Sequence, residues 1–363
     1  MRVVAKVGTS SLTDDGGRIA AGAIAKVAGE VAGQRSAGHE VVVVTSGAIS
    51  AGLPALGLDG RRPVDLPTLQ AVAAVGQHRL MATWDHAFAA HDLVPGQVLL
   101  APLDFVDRQQ YLHARQTIER LLELGVVPVV NENDAVADDE IRFGDNDRLA
   151  ALVAHLLRAD LLVLLTDTPG LLTADPRLDA GASLIEEVLE IDATLESMAT
   201  AGGSERGSGG MASKLAAAKM AAWSGVRVVI AAADRDDVLA GAVTERPGVG
   251  TVVRPRERRL SARKLWIAFA VAPAGLVVVD AGARVALVER GRSLLPAGVV
   301  EVRGGWEAGD AVEVATAEGG VFAKGLARHP AAVVRQWAGK RTSELPDDVE
   351  PEVIHRDDLV VLP

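Results

Sequence analysis

Residues 40–46 read EVVVVTS and residues 161–166 read LLVLLT. Runs this short and this continuously apolar offer no polar face to water. They point to strands covered on both sides, as in a parallel sheet packed under helices. RVVAKV (2–7), GQVLLA (96–101), VVPVV (126–130) and RVVIA (227–231) read as further strands. Helical patterns occupy 22–34, 67–91, 107–124 and 148–158, with Asp107 as an N-cap and Gly125 as a stop signal. Strand and helix alternate over roughly 250 residues, which predicts an α/β fold: a doubly wound, mostly parallel sheet sandwiched by helices.

Composition agrees. Hydrophobic residues make up 49% of the 363, but aromatics only 3%. The small branched side chains that remain suit helix-on-sheet packing. A net charge of −11 argues against general affinity for nucleic acid or anionic membrane. The absence of cysteine removes disulfides, thiolate metal sites and a cysteine nucleophile together. The N-terminal apolar run turns polar at Gly8, unlike a signal peptide, and no window approaches 18 apolar residues. The expectation is a cytoplasmic protein with no membrane segment.

The pattern changes near residue 255. RPRERRLSARKLWIAFA is basic and then helical, and reads as a connector. Beyond it, GLVVVDAGA, GVVEVRGGW and GDAVEVATAEGGVFAKGLA are short strands set apart by glycines, which predicts a small β-rich domain of barrel type. The boundaries read as a domain over 1–255, a connector over 256–275, a β-rich domain over 276–355 and a tail over 356–363, whose apolar end has strand character.

Five stretches carry chemistry. GSERGSGGMASKL (203–215) places glycines and a lysine ahead of an alanine-rich helix. It is not a Walker A motif, because Lys214 follows Ser213 and precedes Leu215. Read as a surface loop it is unremarkable; read as a phosphate device it offers close-approaching amides, a helix N-terminus and a lysine. AKVGTSS (5–11) sets Lys6 in an apolar strand, where an ammonium group is costly unless it meets anions, with Gly8 at the carboxyl edge where ligands of open α/β sheets bind. VTSGAISAG (44–52) presents Ser46 and Gly47 at the same edge, or is simple turn chemistry. NENDA (131–135) and GDND (144–147) crowd Asn131, Asn133, Asp134, Asp145, Asn146 and Asp147 between core elements; one aspartate can cap the next helix, but not all six residues can. The spacing does not fit a calcium loop. In LLTDTPGLLTADPR (164–177), Thr166 and Asp167 end a strand beside a turn. No Ser-His-Asp or metal-ligand spacing emerges.

Taken in order, KVGTSSLT, VVVTSGAISAG, AAVGQHRLM, VVPVVNENDAV, GDND, LLTDTPGLLTADPR and GSGGMASKL resemble the glutamate 5-kinases of the amino-acid kinase superfamily, over residues 2–254. The C-terminal part, with RGRSLLPAGV and GDAVEV, resembles a PUA domain. The resemblance implies ATP-dependent phosphorylation of the γ-carboxylate of L-glutamate, the first step of proline synthesis, with feedback inhibition by proline. It makes Lys6 and Lys214 the phosphate-stabilising pair and Asp147 the carboxylate that organises them. Glutamate falls to Ser46, Gly47, Asp134, Asp145 and Asn146. ATP falls to Lys6, Gly8, Thr166, Asp167, Ser208, Gly209, Gly210, Met211, Ala212, Ser213 and Lys214. Ala212 stands where the family often has a hydroxyl. Mg²⁺ is expected on the nucleotide phosphates rather than on protein ligands, and the chain is expected to form a dimer or tetramer.

Two rivals remain at this level. One is another kinase of the same fold, acting on acetylglutamate or UMP. The other is an RNA-binding or RNA-modifying protein working through the PUA-like domain. Residues 276–353 carry 9 Lys+Arg against 12 Asp+Glu, which gives that domain no excess of positive charge for a phosphate backbone.

Overall fold

The computed structural model describes residues 1–58, 63–105, 107–136, 146–174, 179, 181–201, 210–257, 259–346 and 349–362. The chain divides into two compact units, Met1–Arg259 and Leu260–Pro363.

In the first unit the strands are β1 (Arg2–Val7), β2 (Glu40–Val44), β3 (Pro95–Leu100), β4 (Val127–Glu132), β5 (Leu161–Thr166), β6 (Glu187–Val188), β7 (Arg227–Ala232) and β8 (Thr251–Val253). The helices are α1 (Thr9–Leu12), α2 (Ala21–Ser36), α3 (Ala48–Gly52), α4 (Leu66–Ala89), α5 (Arg108–Glu123), α6 (Asn146–Leu156), α7 (Ala193–Ala201), α8 (Met211–Trp223) and α9 (Val238–Val243). The strands form one sheet in the order β3-β4-β2-β1-β5-β7-β8-β6. All pairings are parallel except β7–β8.

The apolar runs explain the layers. Every residue of β4 and β5 is buried, so both faces of the sheet are covered. On one face Val3, Ala5 and Val7 join Val41, Val43, Leu161 and Val163 against Ile24 and Val31 of α2 and Leu80, Trp84 and Phe88 of α4. Strand side chains alternate, so Val4 and Lys6 turn to the opposite face, where α6 packs on β1. Because β4, β2, β1 and β5 run parallel, their carboxyl ends share one edge. Asn131, Ser46, Gly8 and Thr166 therefore stand at or just beyond that edge.

Three details of local structure shape it. Asp107 accepts from the amides of Gln109 and Gln110 and starts α5, as the sequence predicts. Thr45 continues the β2 ladder through its amide to the Val130 carbonyl, and its hydroxyl accepts from Trp84 Nε1 at 3.1 Å, with both residues fully buried. Helices α3 and α4 touch through glycine: a Cβ on Gly76 would lie 1.7 Å from the Ala48 carbonyl oxygen, closer than any packing allows. That contact holds α4 against the segment that follows Ser46.

Some sequence boundaries shift. Strand β4 extends through Asn131 and Glu132, which the sequence reads as loop, and α6 begins at Asn146 rather than 148. Asp147 therefore lies inside the first turn of α6 and does not cap it. The short strands β6 and β8 have too few residues to give a periodicity.

In the second unit, α10 (Ala262–Leu265) and a π-helical turn at Trp266–Ala270 precede a five-stranded sheet of β9 (Gly275–Val279), β10 (Val299–Gly304), β11 (Ala311–Thr316), β12 (Val321–Leu326) and β13 (Leu359–Val361). Its order is β10-β9-β11-β12-β13. The helices α11 (Ala281–Val288) and α12 (Ala331–Trp337) accompany it. Val277, Val279, Leu287, Trp306, Val312, Val314, Phe322 and Ile354 form a core separate from that of the first unit. The apolar tail pairs as β13 on β12.

His155, in the last turn of α6, gives the first unit a pH signature. Burial, then the charges of Arg158 and Arg259, push its pKa from 6.5 down to about 4. Between those values the unfolded chain binds the proton and the folded chain does not. Stability should therefore fall by roughly 3 kcal/mol as pH drops from 6.5 to 4, with no further loss from this group below that. Urea unfolding of the first unit followed across this window should flatten in His155→Gln; equal slopes in the two proteins would contradict the assignment.

Candidate active site

The centre of the carboxyl edge is a buried ion cluster. Lys6 leaves β1 on the α6 face, and α6 meets it with Asp147. Lys6 Nζ lies 2.5 Å from Asp147 Oδ1. Lys214, in the first turn of α8, places its Nζ 3.3 Å from Asp147 Oδ2, and Ser213 Oγ donates to the same oxygen at 2.8 Å. Lys6, Lys214 and Asp147 are 4%, 6% and 1% exposed, so one carboxylate stands between two ammonium groups away from bulk water. Burial alone would disfavour the Asp147 anion, but the charges of Lys6 and Lys214 and the hydrogen bonds from Lys6 and Ser213 outweigh it and hold the carboxyl below its usual range. The trio carries a net positive charge.

The elements explain how the lysines meet. Helix α8 starts at Gly210, which caps with extended backbone and no side chain, and α8 packs along α6. The first amides of any α-helix lack intrahelical acceptors, so Met211, Ala212 and Ser213 present N–H groups beside Lys214. Met211 and Ser213 are half-buried and Ala212 is exposed. On the β1 side Gly8 is buried, and a Cβ there would sit 3.3 Å from Lys6 Nζ, so glycine leaves the ammonium group room. Thr166 is buried at the end of the neighbouring β5 and donates to the exposed Asp167 at 3.0 Å.

A second cluster lies toward β2 and β4. Asn146 Nδ2 donates to Ser46 Oγ at 3.0 Å, and both residues are buried. Asn146 Oδ1 is buried with no partner. Gly47, next to Ser46, has φ +104°, a left-handed value suited to glycine. Asp134 is half-buried in the turn after β4, against which α4 packs. The structure thus brings Lys6, Lys214, Asp147 and Ser213 into contact, and separately Ser46 with Asn146. It sets Gly8, Thr166, Gly47 and Asp134 on the same edge, with Asp167 next to Thr166 and Gly210, Met211 and Ala212 at the start of α8. Asp145, Ser208 and Gly209 lie outside the described residues.

Two features escape the sequence reading. Ser213 serves the carboxylate between the lysines. The other is an amide pair, Asn131 Nδ2 donating to Gln77 Oε1 at 2.8 Å. Its signal was a glutamine on the buried stripe of α4, among Ala73, Leu80 and Trp84 at helical spacing. Among the described residues no group of three His, Asp or Glu is placed to hold a metal ion.

A buried pair of cationic side chains, with a glycine-capped helix start beside them, stands at the carboxyl edge of a doubly wound sheet, the edge where ligands of such folds bind. Residues 1–232 match the Amino acid kinase family, and residues 275–347 match the PUA domain. Proteins named glutamate 5-kinase are similar along nearly the whole chain. That of Anaeromyxobacter dehalogenans is 47% identical, covering 99% of this chain and 96% of its own length. That of Pelobacter propionicus is 43% identical, covering 99% and 97%. Carbamate kinase from Giardia lamblia bound to AMP-PNP superposes with a TM-score of 0.51 at 16% identity, over 70% of this chain and 98% of that one, a likeness of fold alone. The chain belongs to the amino acid kinase family, among its glutamate 5-kinases.

The ion cluster makes a stability prediction. Asp147→Asn leaves two buried ammonium groups without their carboxylate, a loss of about 3 kcal/mol by analogy with broken buried pairs. The depressed pKa sets the sign in pH: the contribution is complete above the unfolded aspartate value near 4 and disappears only as pH falls through the lower folded value. Urea unfolding at pH 7 should show the loss, and added ATP should recover part of it. An unchanged midpoint would contradict the pairing.

Proposed function

We propose that the protein transfers the γ-phosphoryl group of ATP to the γ-carboxylate of L-glutamate, giving L-glutamyl 5-phosphate and ADP, the first step of proline biosynthesis. The observation that carries this reading is the Lys6–Asp147–Lys214 cluster, with Ser46 and Asn146 on the same sheet edge.

The residues suit the chemistry. A glutamate γ-carboxylate has a pKa near 4.3 and is ionised at neutral pH, so attack on phosphorus needs no general base. A carboxylate oxygen forms the new O–P bond, and the bond from phosphorus to the bridging β–γ oxygen breaks. The difficulty is that two anions must meet. Lys6 from β1 and Lys214 from α8 approach from different elements and neutralise charge on the transferring group, the usual large term in phosphoryl transfer. Asp147 pairs with both ammonium groups and aims them. The start of α8, with Gly210, Met211, Ala212 and Ser213, offers amides to the nucleotide phosphates, and Gly8, Thr166 and Asp167 line the nucleotide side. Ser46, Gly47, Asn146 and Asp134 hold the glutamate; the unpartnered Asn146 Oδ1 is an acceptor suited to an ammonium group. Mg²⁺ belongs to this reading as a partner of the nucleotide phosphates, where it screens their charge. With one buried carboxylate already shared by two lysines, the described residues fit an ion carried in by ATP better than one held by the protein.

The reading includes a homo-oligomer in the cytoplasm and inhibition by proline, supported by the family resemblance. Among the described residues no helix is long and apolar enough to cross a membrane.

Hydroxylamine traps acyl phosphates as hydroxamates. With ATP and Mg²⁺, the protein should form hydroxamate from L-glutamate and not from acetylglutamate, with no ADP release on UMP. Lys6→Ala and Lys214→Ala should each lower kcat by about two to three powers of ten while the melting transition persists. Turnover on acetylglutamate or UMP without turnover on L-glutamate would overturn the substrate, and unchanged kcat in either lysine variant would overturn the roles.

A further inference from the structure

The Gln77–Asn131 pair is the largest piece of buried polar chemistry that the phosphoryl-transfer scheme does not use. Asn131 is 1% exposed and Gln77 9%. Their hydrogen bond, at 2.8 Å, occupies one half of each amide. The other halves, Asn131 Oδ1 and Gln77 Nε2, are buried with no partner. Core amides are nearly always satisfied, so a half-satisfied pair at a sheet edge needs a reason. Its chemistry is also fixed. One free donor and one free acceptor remain, and turning both amides over leaves that count unchanged.

Position supplies the reason. Asn131 is the penultimate residue of β4, and β4 pairs with β2, whose next residues are Thr45 and Ser46. The Thr45 amide donates to the Val130 carbonyl, one residue from Asn131. Gln77 follows Gly76, the residue of α4 that lies against the Ala48 carbonyl just beyond Ser46 and Gly47. Along the edge the order is therefore Lys6 on β1, Ser46 after β2, and the amide pair on β4.

We propose that Gln77 is a positioning and specificity residue: it locks the Asn131 amide so that the pair presents one donor and one acceptor to the α-carboxylate and α-ammonium groups of the substrate. This rests on the glutamate reading above and deepens it. The γ-carboxylate is the group that reacts; the amide pair reads the other end, which distinguishes an α-amino acid from a plain carboxylic acid. A site built to hydrogen-bond such groups rejects analogues lacking them, because its own buried polar atoms are then left unpaired.

The test uses the full chain and three acceptors: L-glutamate, glutarate, which lacks the α-ammonium group, and 4-aminobutyrate, which lacks the α-carboxylate. In Gln77→Leu the KM for L-glutamate should rise at least about tenfold with the KM for ATP unchanged, while kcat/KM for glutarate and 4-aminobutyrate stays within about twofold of wild type, so that preference for L-glutamate collapses. Gln77→Glu keeps the size and an oxygen for Asn131 Nδ2 but replaces the free amino group by oxygen. It should lose L-glutamate affinity and keep its turnover of 4-aminobutyrate. A KM for L-glutamate within about twofold of wild type in both variants would overturn the proposal, and so would an equal loss on all three acceptors with a raised KM for ATP, the mark of a merely structural role. Wild-type protein that forms no glutamyl hydroxamate would refute the glutamate reading itself, before any variant is compared.

Discussion

One carboxylate between two ammonium groups sets the terms for the rest of this site. Asp147 is 1% exposed, and so are its two partners to within a few per cent. Ammonium groups buried in such a place are costly without an anion beside them. The arrangement demands that three elements distant in sequence meet at one point: β1 with Lys6, α6 with Asp147 and α8 with Lys214. The doubly wound sheet provides this. Alternation along β1 turns Lys6 toward α6, and the packing of α6 on α8 brings the second lysine to the same carboxylate. What results is a cationic centre whose charges are held in order by one carboxylate, the kind of preorganisation that electrostatic catalysis uses.

Around that centre the edge is graded. The side toward α8 has glycines and helix amides, at Gly8 and the start of α8. The side toward β2 and β4 has neutral hydrogen-bonding groups at Ser46, Asn146, Asn131 and Gln77. Two of these carry buried oxygen atoms without partners, Asn146 Oδ1 and Asn131 Oδ1. Charged and neutral polar groups thus occupy neighbouring strands of one sheet. The Gly76–Ala48 approach ties the helix bearing Gln77 to the segment bearing Ser46.

Much of this was legible in the chain. The runs EVVVV and LLVLLT suit doubly covered strands, and a lysine inside RVVAKV is costly unless it meets anions or sits on an edge strand. The lysine of GSERGSGGMASKL, read there as a surface loop or as a phosphate device, meets Asp147 at the start of α8. What was not legible is pairwise and non-local. The strand order β3-β4-β2-β1-β5-β7-β8-β6 depends on contacts across the whole unit. The start of α6 was hidden because Asn146 and Asp147 look like the end of a polar loop; their side chains bond tertiary partners rather than capping the helix. Strand β4 was cut short for the same reason, since Asn131 and Glu132 are polar yet buried. Gln77 stood in plain sight on an apolar stripe, but only its partner Asn131 gives it meaning.

On the proposed reading both lysines hold the phosphoryl group in flight while Asp147 stays between them. A crystal structure with ADP, aluminium fluoride as a planar phosphoryl mimic, and L-glutamate reads this directly. The account expects Lys6 Nζ and Lys214 Nζ each within about 3 Å of the fluoride ligands, with Asp147 still between them and the glutamate γ-carboxylate in line with the metal fluoride. Well-ordered ADP, fluoride and glutamate with either ammonium group beyond hydrogen-bond reach of the mimic would contradict it.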